Sequence, residues 1–279
     1  MLTATTAPVT IGRVALTVHD LDRVSDFYQR VVGLHLLTSD AGEVLLGDGE
    51  TVLLELRRDA EARRRDPREA GLFHTAFLLP TREDLGRWTR HAAAARAPVV
   101  GTADHSVSEA IYLTDPEGNG VEIYADRPRS AWRWKGGQVE MPSDPLDIED
   151  LLASAGTRPW AGFPAGSAIG HVHLQVGAIA PAEAFYAGVL GLDITCRYPG
   201  GTFYGSGGYH HRLATNIWNS RGATVRSAPS TGLANVEIEA DAATLEAVSA
   251  RMALAGLSDR PGLLSLRDPW GTPITIRAH

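Results

Sequence analysis

The chain repeats itself. The stretch Ile11-Gly-Arg-Val-Ala-Leu-Thr-Val18 is echoed by Ile169-Gly-His-Val-His-Leu-Gln-Val176. At the same spacing Phe27-Tyr28 falls on Phe185-Tyr186, and Gly33-Leu34 falls on Gly191-Leu192. Gly71-Leu72 is matched by Gly232-Leu233, and Asp115-Pro-Glu-Gly118 by Asp268-Pro-Trp-Gly271. The landmarks keep one order in both halves. Self-similarity of this kind limits the architecture more than any local propensity, because both copies must reach the same fold. The sequence therefore predicts a duplicated domain.

Each half divides again. A quarter opens on strand alternation and passes into helical spacing. Val14, Leu16 and Val18 share one strand face, with Arg13 and Ala15 on the other. Asp20 is placed to cap a helix on which Val24, Phe27, Tyr28, Val31 and Val32 recur at helical spacing, and Gly33 ends it. Short strands follow around Leu36, 44–46 and 52–56. The second quarter runs through a strand at 73–79, a helix carrying Leu85 and Trp88, and strands near Val99, 111–113 and 121–124. The third spans about 169–218. The fourth spans about 233–276, with Leu245, Val248 and Met252 on its helix. The expected fold class is α+β, with four strand–helix–strand–strand–strand modules. Modules one and two give a first domain at 8–126, and modules three and four a second at 166–279. The segment 127–165 is rich in Pro, Gly and Trp. It reads as an ordered linker, with a short helical turn at 147–152 and with Trp132, Trp134 and Trp160 packed on a surface.

Composition removes several functions. A net charge of -7 argues against a nucleic-acid binder. The arginines at 57–68 are interspersed with acids and read as a solvated loop. The single cysteine, Cys196, rules out an intrachain disulfide or a cysteine-cluster metal site. The single lysine, Lys135, lies in the linker, which argues against Schiff-base chemistry. No apolar run reaches the roughly 20 residues that span a bilayer, and the start lacks the pattern of a signal peptide, so a cytoplasmic protein is expected.

The module pattern, the Asp20-Leu21 step after the first strand, the Phe-Tyr helix ending in Gly-Leu, Gly71-Leu-Phe-His74 and Asp115-Pro-Glu-Gly-Asn-Gly-Val-Glu122 together resemble the vicinal oxygen chelate superfamily. It also bears the names glyoxalase, bleomycin resistance and extradiol dioxygenase. The layout is similar to two-domain proteins of the catechol 2,3-dioxygenase kind. The resemblance implies paired modules forming a cupped sheet, with metal ligands on the concave face from the first and last strand of each module. It also implies a divalent ion, ferrous iron first, with manganese or another divalent ion as alternatives. A set of two histidines and one carboxylate leaves open positions on such an ion.

Each module offers two ligand positions. They are Arg13 and Glu55 in module one, and His74 and Glu122 in module two. In module three they are His171, with Asn216 or Trp218. In module four they are Asn235 and Thr275. Modules paired in chain order complete no triad. If module two faces module three, His74, Glu122 and His171 converge as the metal site, and modules one and four form a second, metal-free cup. The competing reading is decay, each half keeping fragments of an ancestral site. His173 shares a strand face with His171 and competes with it as the inward ligand. Arg13 is expected to pair with Glu55.

The resemblance also implies residues around the metal. His105 and Tyr112 match a histidine before, and a tyrosine on, the penultimate strand. His210 or His211 matches an acid/base histidine. An alternating strand would aim one of that pair into the cup, and His211 is preferred. The implied activity is extradiol-type ring cleavage of a small catechol-like aromatic with dioxygen. The alternatives are a bleomycin-resistance-like protein sequestering an aromatic ligand, or a metal-dependent isomerase, lyase or thiol transferase. A homodimer fits the family pattern. His19, His35, His91 and His279 read as surface or loop residues.

Overall fold

A computed structural model describes residues 7–254 and 263–278. His279 lies outside the described residues. Module one holds β1 (Val9–Val18), α1 (Leu21–Phe27), β2 (His35–Ser39), β3 (Glu43–Gly47) and β4 (Val52–Arg58). Module two holds β5 (Gly71–Leu78), α2 (Arg82–Ala94), β6 (Val99–Asp104), β7 (Ser108–Thr114) and β8 (Gly120–Asp126). The connecting segment forms a small hairpin, β9 (Trp134–Lys135) and β10 (Gln138–Val139), then α3 (Ile148–Ser154). Module three holds β11 (Ala168–Gln175), α4 (Ile179–Glu183), β12 (Asp193–Tyr198), β13 (Gly201–Gly205) and β14 (Leu213–Asn216). Module four holds β15 (Gly232–Ala240), α5 (Ala242–Leu254), β16 (Leu263–Arg267) and β17 (Pro273–Ala278).

Local signals explain the module ends. Asp20 accepts the Arg23 amide at 3.0 Å and caps α1, as expected. The helix then widens into a π-turn at Tyr28–Val32 and stops at Gly33, whose φ of 101° suits glycine. The equivalent π-turn follows α4 at Ala184–Val189. Asp115 accepts the amides of Glu117 and Asn119 at 2.8 and 2.9 Å. Asp268 accepts those of Trp270 and Thr272 at 2.9 and 2.8 Å. The repeated Asp-Pro motifs are turn-builders, each carboxylate replacing a missing backbone partner. Each also meets its helix tyrosine, Tyr28 for Asp115 and Tyr186 for Asp268.

The sheets cross the halves of the chain. A seven-stranded sheet runs β16-β17-β15-β1-β4-β3-β2, joining modules one and four. An eight-stranded sheet runs β12-β13-β14-β11-β5-β8-β7-β6, joining modules three and two. The seams are antiparallel, β1 with β15 and β5 with β11. The strands of residues 8–126 are thus shared between both sheets, as are those of 166–279. Buried side chains from all four modules form one continuous apolar core.

The connecting segment is tied down unevenly. Trp132 is buried against Tyr209, and Trp160 packs on Phe163, but Trp134 is exposed, contrary to expectation. Its position in a two-stranded hairpin pairs its backbone and leaves its ring outside. The arginine-rich loop also differs from the expected solvated stretch. Arg57 and Arg58 lie in β4, and Arg65 is half-buried with Nη1 donating to the Leu72 carbonyl at 3.0 Å. His35 likewise opens β2, half-buried, and meets the Phe163 carbonyl at 3.1 Å.

Candidate active site

Glu122 lies mid-strand on β8, and His74 on its parallel neighbour β5. His171 enters from β11 across the seam, where a bulge sets it opposite Ala76. The pairing of modules two and three therefore brings together the three predicted ligand residues. Glu122 Oε2 lies 2.9 Å from His74 Nε2 and 3.3 Å from His171 Nε2, and the two Nε2 atoms are 3.3 Å apart. All three side chains are buried. Among the described residues, this is the one cluster of histidine, cysteine and carboxylate groups able to hold a metal ion. Donors bound at about 2.0–2.2 Å, roughly 90–110° apart, stand about 2.8–3.6 Å from one another. The separations here fall in that range, so the set fits a single divalent ion.

The electrostatics suit a ligand set. Burial opposes charge on Glu122, but the facing imidazoles of His171 and His74 outweigh it and hold the carboxyl well below its usual range. Burial pushes His171 down to about 4 against the pull of Glu122, leaving a neutral ring with a lone pair to offer.

His173 also faces this side of β11, but it does not join the cluster. Asn216 Nδ2 donates to its Nε2 at 3.0 Å, and burial holds its pKa well down. His173 instead forms a wall with Phe73, 5.0 Å away between ring centres, and Trp218, 5.4 Å away. Asn216 and Trp218, the alternatives for module three's last strand, thus serve the wall rather than the cluster.

Tyr112 on β7 stands in register with Glu122. Its phenol is 2.8 Å from His105 Nε2, while His105 Nδ1 donates to the Pro142 carbonyl at 2.7 Å. Burial first, then the Glu122 charge, raise the Tyr112 phenol well above its usual value, so it stays protonated. His210 and His211 lie in the bend before β14, not on a strand as expected. Only His211 lines the cavity, its ring centre 4.1 Å from that of His171. Burial depresses the His211 pKa well below the usual imidazole value. His210 turns away, with Nε2 2.9 Å from Asp126 Oδ1 and Nδ1 2.8 Å from His211 Nδ1.

These groups line a cavity of about 530 Å³, walled by Phe73, Phe203, Trp218, Met141 and Pro142. That size suits a small aromatic ligand. Sequence reasoning missed Phe73, Phe203 and Asp126. Phe73 was legible as the neighbour of His74, but Asp126 is brought in by a contact between modules.

The matching positions on the other sheet carry different chemistry. Arg13 lies between Glu55 at 3.5 Å and Glu237 at 3.3 Å. Asn235 Nδ2 donates to Thr275 Oγ1 at 2.9 Å. Arg13 pairs with Glu55 as predicted, and its cation is shared with Glu237.

Comparison with known proteins agrees with this architecture. Residues 10–123 match the family model for the glyoxalase/bleomycin resistance protein/dioxygenase superfamily. A catechol-2,3-dioxygenase of Bacillus subtilis (strain 168) is 42% identical over 232 residues, 80% of each chain. The chain belongs to that superfamily. It is a dioxygenase-type enzyme. Two solved structures share the fold of this superfamily member at low identity. A Bacillus subtilis protein described as a candidate dioxygenase is 15% identical with a TM-score of 0.62, covering 96% of this chain and 84% of its own. Glyoxalase I of Zea mays is 18% identical with a TM-score of 0.59, covering 99% and 94%. Among the described residues, no helix is long and apolar enough to cross a membrane.

Proposed function

We propose that the protein is a metal-dependent extradiol-type dioxygenase that opens the ring of a small catecholic aromatic. The observation that carries the reading is the buried convergence of His74, Glu122 and His171 at the base of a cavity with aromatic walls. A divalent metal held there, ferrous iron first and manganese second, supplies the redox and Lewis-acid chemistry that joins a vicinal diol to dioxygen.

The chain's own residues do the rest. Phe73, Phe203 and Trp218 accept the flat ring and exclude water around it. His211, neutral and beside His171, takes a proton from a catechol hydroxyl and returns it later in the reaction. Tyr112 keeps its proton, which His105 Nε2 accepts, so the phenol oxygen is held at the cavity wall in register with Glu122, where its lone pairs accept a hydrogen bond from a catechol hydroxyl. The identity of the catechol-2,3-dioxygenase relative supports the substrate class. A sequestering role drew its support from the incomplete ligand set within each half, and pairing modules two and three removes that ground.

Elemental analysis of protein purified anaerobically without chelators tests the site. About one iron or manganese per chain is expected, lost in His74→Ala, Glu122→Ala and His171→Ala but kept in Arg13→Ala and Thr275→Ala. Oxygen uptake with catechol tests the activity. Metal retained at full stoichiometry in His171→Ala would falsify the shared site, and a metal-loaded protein inert toward every catechol tried would remove the dioxygenase reading.

A further inference from the structure

We infer that Asp126 and His210 form a positioning pair that fixes the tautomer of His211 and leaves its Nε2 as a bare acceptor in the cavity. The inference rests on the reading of His211 as the proton acceptor.

The chain of hydrogen bonds runs outward from the cavity. His210 Nε2 stands 2.9 Å from Asp126 Oδ1. A carboxylate has no proton to give, so this nitrogen carries the hydrogen. We take His210 as neutral: its one N–H then faces Asp126, and Nδ1 is left with a lone pair. That atom lies 2.8 Å from His211 Nδ1. Two lone pairs cannot face each other at that distance, so His211 Nδ1 must donate. His211 Nε2 is then unprotonated, on a ring that lines the cavity beside His171.

The surroundings keep the chain intact. His210 is fully buried, with Trp132 of the connecting segment 5.0 Å from it and Tyr209 4.1 Å from it between ring centres. These rings exclude the water that would otherwise pair with either imidazole nitrogen. Asp126 Oδ1 also accepts the Tyr209 hydroxyl at 3.1 Å, which turns the carboxylate toward the pair. Asp126 ends β8, the strand that carries Glu122. One strand of module two thus supplies both a member of the candidate metal site and the anchor for a module-three base. The arrangement has the logic of an acid–histidine pair that orients a reacting group, extended by one imidazole.

The test reads the tautomer directly. Two-bond proton–nitrogen correlation spectra of the chelator-treated full chain, labelled with nitrogen-15 histidine and assigned with His211→Gln, report which nitrogen is protonated. His211 is expected to show a protonated Nδ1 and a bare Nε2. In Asp126→Ala the His211 signals should shift toward tautomer exchange, and kcat of the metal-loaded enzyme should fall about 10–100-fold with KM little changed. Asp126→Asn keeps an oxygen acceptor and should restore both readouts. A wild-type His211 protonated at Nε2, as a charged His210 would impose, overturns the inference. So does an Asp126→Ala variant with unchanged His211 signals and kcat. If Asp126→Ala fails to fold, the wild-type spectrum decides alone. Failure of the dioxygenase reading is separate: it shows as absent oxygen uptake in the wild type, whatever the tautomer.

Discussion

Tyr112 separates packing from chemistry at the scale of single residues. Its ring lies 5.6 Å from that of His74, and its hydroxyl meets His105. Removing only the hydroxyl keeps the ring contacts and deletes the oxygen that donates to His105 and faces the cavity. Tyr112→Phe should therefore retain bound metal and lower kcat by about 10–100-fold, at the low end of what a positioned polar group beside the reacting atoms contributes. Metal analysis and steady-state oxygen uptake on one preparation check both halves of the expectation. An unchanged kcat would reduce Tyr112 to a wall of the cavity.

At the scale of elements, the spacing between β5 and β8 decides whether His74 and Glu122 can meet. Gly120 stands in register with His74, and a Cβ there would lie 2.0 Å from the Phe73 carbonyl oxygen and 3.0 Å from His74 Cβ. The first contact is with backbone, which cannot swing aside. Gly120→Ala should push the strands apart, cost about 1–3 kcal/mol of stability and weaken metal binding together. Urea denaturation and metal titration measure the two effects, and a stable variant with full affinity would refute the spacing argument. The motif around Gly120 made much of this element readable in advance, because strand alternation and a turn-building Asp115 fix where Glu122 points. His210 and His211 were less readable. Their bend follows β13 without a strand period, so alternation could not say which ring turns inward. The π-turns after α1 and α4 were hidden for a similar reason: helical spacing of apolar residues does not distinguish a local widening of the helix.

At the scale of the molecule, the choice of module partners was the step that sequence left open. His74, Glu122 and His171 were all visible as ligand positions, but nothing local to any of them says which module lies opposite. The answer comes from long-range strand pairing, with β1 beside β15 and β5 beside β11. Asp126 was invisible for the same reason, since its partner His210 belongs to another module. This pairing has a mechanical consequence. Neither half of the chain closes a sheet without the other, and the apolar core runs through all four modules. Unfolding either half would expose the seam of both sheets, so both halves should melt together. Val172 is fully buried on β11 at the β5 seam. Val172→Ala should cost about 2 kcal/mol, from lost burial and the gap left behind. Urea unfolding followed by tryptophan fluorescence and by far-ultraviolet circular dichroism should give one coincident transition, displaced as a whole in the variant. Two transitions, with only the one from the eight-stranded sheet displaced, would mean that each sheet folds on its own and that the shared core does not couple them.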